Sequence, residues 1–219
     1  MRWTLIVAVV AANVAFAGLS ATFGYPGVLA EPPARILAAF AAHQGAVSAW
    51  FLVLAASSLA LVPGAVLLGR LLPPGPAASL STPVGVLAGL VQVLGLLRWP
   101  YAVPALVDAP DPRAAETTFA ALHGYLGTGV GETLGYLLTA GWTVLVLAAL
   151  PRSPRWFAAL GIGSALAIAA GVLTPLAVPG ADLANFAGYV AWSAWVVALA
   201  ALRDRLLPRR APAVPAHSG

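Results

Sequence analysis

The sequence predicts an all-α, polytopic membrane protein in which six transmembrane helices form three tandem helical hairpins, with both termini in the cytoplasm. Three observations predict it: a membrane-like composition, six apolar stretches of spanning length, and arginines concentrated on one side. Of the 219 residues, 61% are hydrophobic and only 8% are charged, whereas a soluble domain carries about 25% charged residues.

The composition also excludes several kinds of chemistry. The chain has no cysteine, which excludes disulfides, thiolate metal sites and cysteine nucleophiles. It has no lysine either, so a Schiff base is excluded. The net charge of +4 comes from arginines at the ends of the apolar stretches, so it indicates topology rather than a nucleic-acid partner. The sequence predicts no cofactor.

Six stretches have the length of about 20 mostly apolar residues that a spanning helix needs. They lie at about 3–23, 46–69, 82–106, 126–150, 156–178 and 184–203. Together they predict one transmembrane domain over residues 1–204. Residues 205–219 are rich in proline, alanine and arginine, which predicts a disordered cytoplasmic tail.

The arginines set the expected orientation, because short cytoplasmic loops accumulate them. One side of the six-span path holds Arg2, Arg70, Arg152, Arg155, Arg203, Arg205, Arg209 and Arg210. The other side holds Glu31, Asp108, Asp111, Glu116 and Asp182, with only Arg35 and Arg113 as cations. Both termini are therefore expected in the cytoplasm. The exclusive use of arginine favours a GC-rich bacterial genome and hence the bacterial inner membrane.

A cleavable signal peptide is the alternative interpretation of the first span. Ala15-Phe16-Ala17 has the form of a cleavage site. The apolar stretch is about 20 residues long, however, and the apolar core of a signal peptide usually has 7–15. Its length favours a first span that is retained.

An internal repeat supports the hairpin arrangement. Tyr25 to Gly45 (YPGVLAEPPARILAAFAAHQG) and Tyr101 to Gly124 (YAVPALVDAPDPRAAETTFAALHG) share a tyrosine, an acidic residue beside prolines, an arginine and a closing Phe-Ala-Ala with a histidine. Each predicts a short amphipathic helix on the outer side. Such loops either carry function or shield the helix ends. Residues 174–189 form a third, abbreviated copy.

Two charged residues are expected inside spans. Glu132 lies about 9 Å inside the fourth span at 1.5 Å per residue, and Arg98 lies near the outer end of the third. Charged groups in a membrane usually pair and face the protein interior, so an Arg98–Glu132 ion pair is expected. It either fixes helix register or belongs to a binding or reaction site.

The surroundings of Glu132 predict a helix with two distinct faces. Gly127, Gly131 and Gly135 recur every four residues, so they form a smooth stripe for close helix contact. A polar stripe lies beside it. The predicted ligand pocket comprises Arg98, Glu132, Tyr136, Trp99, Tyr101, Thr128, Thr139 and Gln92.

A metal or haem site is a further alternative. His43 and His123 occupy equivalent positions in the two repeat copies, and Glu116 lies seven residues before His123. No recognised ligand spacing accompanies them. Interfacial hydrogen bonding is therefore the favoured interpretation, and no metal is predicted.

Three segments, LLRWPYAVP, FAALHGYLGTGVGETLGY and YPGVLAEPPARIL, together resemble a bacterial multi-pass membrane family known as domain of unknown function 4386. The resemblance covers nearly the whole chain short of the tail. Arg98, Glu132 and Gly135 match the family's motif positions. The resemblance implies the fold and the membrane location, and it implies no activity.

Two functions are expected from the residues. The first is a protein that binds, senses or passes a small apolar or amphipathic molecule, such as an isoprenoid, through an outward-facing intramembrane pocket among the membrane lipids. The alternative is an intramembrane enzyme acting on a lipid or isoprenoid, for example a cyclase or isomerase, with Glu132 as general acid or base.

Overall fold

The computed structural model describes residues 2–150 and 152–207, and these residues are helical with short connections. The helices are α1 (Arg2–Phe23), α2 (Pro33–Ala42), α3 (Gln44–Leu59), α4 (Leu61–Gly69), α5 (Pro76–Tyr101), α6 (Val103–Val107), α7 (Pro112–Leu122), α8 (Gly135–Ala148), α9 (Arg155–Ala170) and α10 (Ala181–Leu206). Two 3-10 helices cover Gly27–Ala30 and Gly171–Leu176, and a π-helical segment, His123–Leu134, joins α7 to α8.

Six helical segments of the described chain are long and apolar enough to cross a membrane, which confirms the predicted all-α class and the number of spans. They are Trp3–Phe23, Gln44–Gly69, Pro76–Val107, Pro112–Ala148, Arg155–Leu176 and Ala181–Leu206. Each predicted span overlaps one of them. The protein is therefore a multi-pass membrane protein.

The fourth of these segments begins at Pro112 rather than near residue 126. Asp111 caps α7, because its side chain accepts hydrogen bonds from the backbone N–H groups of Arg113 at 3.0 Å and Ala114 at 3.3 Å. Pro112 occupies the first turn, where its missing N–H costs nothing. The amphipathic helix that the sequence predicts therefore continues into the span without a break.

The long helices pack side by side in chain order, and α10 also packs against α1, so the bundle closes on itself. One end of the bundle holds α2, α6 and α7, which pack on one another. We call it the capped end, and the end where α1 begins and α10 finishes is the terminal end. The sequence-predicted orientation would place the capped end outside the cell.

The two full repeat copies meet at Trp99. Phe40 in α2 and Phe119 in α7 occupy equivalent positions, and both rings contact the Trp99 ring, with centroids 6.0 Å and 5.8 Å away. The third copy forms no separate short helix, since α10 begins at Ala181. The cap is thus built from two related halves around one buried indole.

Helix α10 extends through Arg205 and Leu206, which the sequence assigned to the disordered tail. Arg203 and Arg205 lie in its last turn, where cations interact favourably with the helix dipole. The remainder of the predicted tail, from residue 208, lies outside the described residues.

Candidate functional site

Arg98, in the last turn of α5, is held by a neutral histidine and by its own helix. Its side chain is buried, and Nη1 donates a hydrogen bond to the carbonyl oxygen of Gly95. Nη2 lies 3.1 Å from Nδ1 of His123. Because a guanidinium can only donate, Nδ1 of His123 accepts, and the ring is neutral with its proton on Nε2. The guanidinium carbon also lies 5.1 Å from the Trp99 ring centroid.

Glycines allow this arrangement by bringing the π-helical segment against α5. A Cβ atom at Gly127 would lie 2.7 Å from Nη2 of Arg98, so any side chain there would displace the guanidinium. A Cβ at Gly95 would lie 2.6 Å from Cα of Gly131, and one at Gly135 would lie 3.0 Å from Cγ of Gln92. All three glycines of the predicted stripe therefore face α5, as the sequence indicated.

The segment that carries Glu132 is π-helical over twelve residues, HGYLGTGVGETL. The sequence analysis predicted an ordinary α-helix here. π-Helical turns are rare, and they are frequently found at functional sites. The density of glycine in the segment is the one sequence sign that could have suggested an irregular helix, because glycine weakens the preference for α-helix.

Glu132 and Arg98 do not form the direct ion pair that the sequence predicted. Both residues are described, and no ion-pair contact or hydrogen bond joins them. The physical reason is that both terminal nitrogens of Arg98 are engaged, one by the backbone of α5 and one by His123. The two charges still act on each other electrostatically. No direct contact therefore bridges the space between Arg98 and Glu132.

Three tyrosines surround this space. Tyr25, Tyr136 and Tyr189 all interact electrostatically with Glu132, and the rings of Tyr136 and Tyr189 are 5.9 Å apart. Burial raises the pKa of Tyr25, which follows α1, and the charge of Glu132 raises that pKa further while Arg98 lowers it. Tyr25 therefore keeps its proton and presents a hydroxyl donor.

The hydroxyl of Tyr189 is buried beside the Thr139 side chain, which is near enough to interact with it although the geometry is too poor for a regular hydrogen bond. Sequence reasoning missed Tyr189 and Tyr25 as members of the site. Tyr25 opens the first repeat copy and Tyr189 closes the third. Their distant positions in the chain gave no sign that both approach Glu132.

A chain of hydrogen bonds leads from this cluster toward the middle of the bundle. Nε2 of Gln92 donates to Oγ1 of Thr139 at 3.0 Å, which joins two residues of the predicted pocket. Thr143 donates to the carbonyl oxygen of Thr139 at 2.8 Å. The indole N–H of Trp192 in turn donates to Oγ1 of Thr143 at 2.8 Å.

The family described as Domain of unknown function (DUF4386) matches residues 3–201. The chain belongs to this family. No curated protein and no solved structure matches the chain. What this DUF4386 chain does therefore has to be inferred from its own geometry.

Of the eight predicted pocket residues, Tyr101 lies outside the cluster and Trp99 touches it only through the Arg98 guanidinium. Trp99 of this DUF4386 chain is fully buried among phenylalanines, with Phe51 stacked on it at 4.9 Å and Phe23 edge-on at 5.1 Å. It belongs to the core of the capped end. Tyr101 is 72% exposed, so it points away from the bundle interior. Thr128 is half-buried within the π-helical segment.

The histidine pair of the metal alternative does not form. His43 is exposed, whereas His123 is half-buried, bonded to Arg98 and stacked on Phe119 at 5.5 Å. Glu116 is half-buried in a cleft between α2 and α7. No group of three or more metal-ligating side chains occurs among the residues that the structure describes.

Two surface cavities of this DUF4386 protein lie elsewhere. A groove of about 580 Å³ runs between α1 and α10, and its polar members are Asn13 and Ser193, which are hydrogen-bonded at 3.0 Å. A cleft of about 220 Å³ lies at the capped end. Neither is lined by Arg98 or Glu132.

Proposed function

We propose that this protein binds a small apolar or amphipathic molecule inside the membrane and holds the molecule's polar group between Arg98 and Glu132. Binding is the step that sensing and passage of such a molecule share. One observation carries the proposal: Nε of Arg98 is buried without a hydrogen-bond partner, and the half-buried Glu132, which interacts with Arg98 electrostatically, has neither a hydrogen bond nor an ion pair among the described residues.

Buried polar groups in proteins are nearly always hydrogen-bonded. Here Nε of Arg98 is buried and has no hydrogen-bond partner. The Glu132 carboxylate has neither a hydrogen bond nor an ion pair among the described residues. Each such group costs roughly 1–3 kcal/mol, and charged groups cost more. A ligand that satisfies them would recover this free energy on binding.

The hydrogen-bond donors and acceptors of Arg98 and Glu132 determine which ligand would fit between them. Nε of Arg98 can only donate, and an ionised Glu132 can only accept. The matching polar group therefore carries an acceptor and a donor on neighbouring atoms, as a hydroxyl or an amide does. The rings of Tyr25, Tyr136 and Tyr189 offer apolar faces next to these polar atoms, which suits an amphipathic molecule.

Native mass spectrometry of the protein purified in a mild detergent tests the proposal. We expect a retained small molecule in the wild type and its loss in Glu132→Gln and Arg98→Gln. The matched control is Glu31→Gln, which removes an exposed carboxylate paired with Arg35 and should keep the molecule. An empty wild type, or equal retention in all the variants, would refute the proposal. Size-exclusion profiles identify variants that fail to fold.

The second candidate is an intramembrane enzyme that acts on a lipid or isoprenoid with Glu132 as general acid or base. The missing ion pair favours it, because a carboxylate bonded directly to a guanidinium is a poor proton carrier. Turnover of an added isoprenoid that Glu132→Gln abolishes, with binding retained, would support this candidate. Binding without turnover would support the first.

A further inference from the structure

The capped end carries a second candidate site, which is independent of the Arg98–Glu132 cluster. The cleft of about 220 Å³ lies where α2 meets the α6–α7 segment. Its walls are apolar, with alanines such as Ala38 and Ala41 on one side and Leu106 on the other. Glu116 is the one charged residue among those that line it.

The carboxylate of Glu116 lacks a partner. It is half-buried against the apolar wall, and no ion pair or hydrogen bond to its side chain occurs in the described part of the chain. Two neighbouring carboxylates do have partners: Glu31 is paired with Arg35 at 3.1 Å, and Asp111 caps α7. Removing a carboxylate partly from water without a partner is costly, so a cation bound in the cleft would offset this cost.

We propose that this cleft binds a small organic cation with apolar substituents, such as a quaternary ammonium compound that reaches it from solution. The charge would lie against Glu116 and the substituents against the alanines of α2. An anion would be repelled, and a neutral apolar molecule would leave the carboxylate unpaired in a drier environment.

The size of the cleft limits the ligand. A volume of about 220 Å³ corresponds to roughly seven water-sized groups at about 30 Å³ each. A trimethylammonium group with one ring or a short alkyl chain is of this size. The zwitterionic headgroup of a phospholipid fits poorly, because it would bring a phosphate toward a surface where acidic residues outnumber arginines.

Calorimetric titration of the detergent-purified protein with benzyltrimethylammonium tests the proposal, and the uncharged isostere neopentylbenzene serves as the ligand control. We expect saturable binding of the cation and at least about tenfold weaker binding by Glu116→Gln. Glu31→Gln should bind like the wild type. Ala38→Leu, at an exposed position of α2, should fill the cleft and abolish binding while the thermal unfolding temperature stays unchanged.

Several results would overturn the proposal. They are no binding to the wild type, equal affinity in Glu116→Gln, or equal binding of the uncharged isostere. Displacement of the cation by added phosphatidylethanolamine would instead identify a lipid headgroup as the occupant, and the proposal of a soluble cation would be wrong.

Discussion

Replacing Gly131 with alanine should separate the π-helical segment from α5. A Cβ atom at Gly131 would lie 2.9 Å from Cα of Gly95 and 3.2 Å from the carbonyl oxygen of Leu126. Ordinary van der Waals contact for such an atom begins at about 3.4 Å. Since both neighbours are backbone atoms, no side chain can rotate away. Relief of the contact with Gly95 requires the segment and α5 to move apart by about half an ångström, and relief of the contact with Leu126, in the same segment, requires a change in the segment's own backbone.

Gly129→Ala is the matched control, because it lies in the same segment and its added Cβ would be 3.5 Å from the nearest atom, in ordinary contact. Both variants gain the same helix preference of about 0.5–1 kcal/mol. The difference between them therefore isolates the steric cost. Overpacking of this kind costs typically 1–3 kcal/mol.

Thermal unfolding in detergent, followed by tryptophan fluorescence, measures this difference. At about 2–4 °C per kcal/mol for a chain of this size, Gly131→Ala should unfold about 2–12 °C below Gly129→Ala. Equal unfolding temperatures would refute the close backbone contact and, with it, the position that the structure gives to Glu132.

Three further predictions concern the topology, the histidines and the aromatic core. A cysteine introduced at Ser153, into a chain without cysteines, should react with impermeant reagents only from the cytoplasm; labelling from outside would contradict the predicted orientation. His123→Ala removes the hydrogen-bond acceptor of a buried guanidinium and should destabilise the protein by about 1.5–3 kcal/mol, as measured by thermal unfolding, whereas His43→Ala at an exposed position should have almost no effect. Trp99→Ala should cost about 3–5 kcal/mol in the same assay, and a smaller loss would contradict the packing of both repeat copies on this ring.

The six membrane-length helices were predictable because their signal is summed over about 20 residues each. The glycine stripe was also predictable, since Gly127, Gly131 and Gly135 face the same neighbour in either helix type. Gln92 and Thr139 were both assigned to the pocket from the sequence, but the hydrogen bond between them was not predicted.

The missing ion pair and the π-helical segment were not predictable in the same way. The Arg98–Glu132 ion pair was predicted only from the similar depth of the two residues in the membrane. Depth does not show that His123 and the backbone of α5 already bind the guanidinium. Tyr25 and Tyr189 join the site through tertiary packing of α1 and α10. No local pattern in the sequence records such packing.

The central claim is that the space between Arg98 and Glu132 is a ligand site. An experimental structure of the protein purified from its own membrane tests it most directly. The account predicts density larger than a water molecule within hydrogen-bond distance of Nε of Arg98 and of the Glu132 carboxylate. Direct contact between the two side chains, or density for no more than one or two waters, would contradict it.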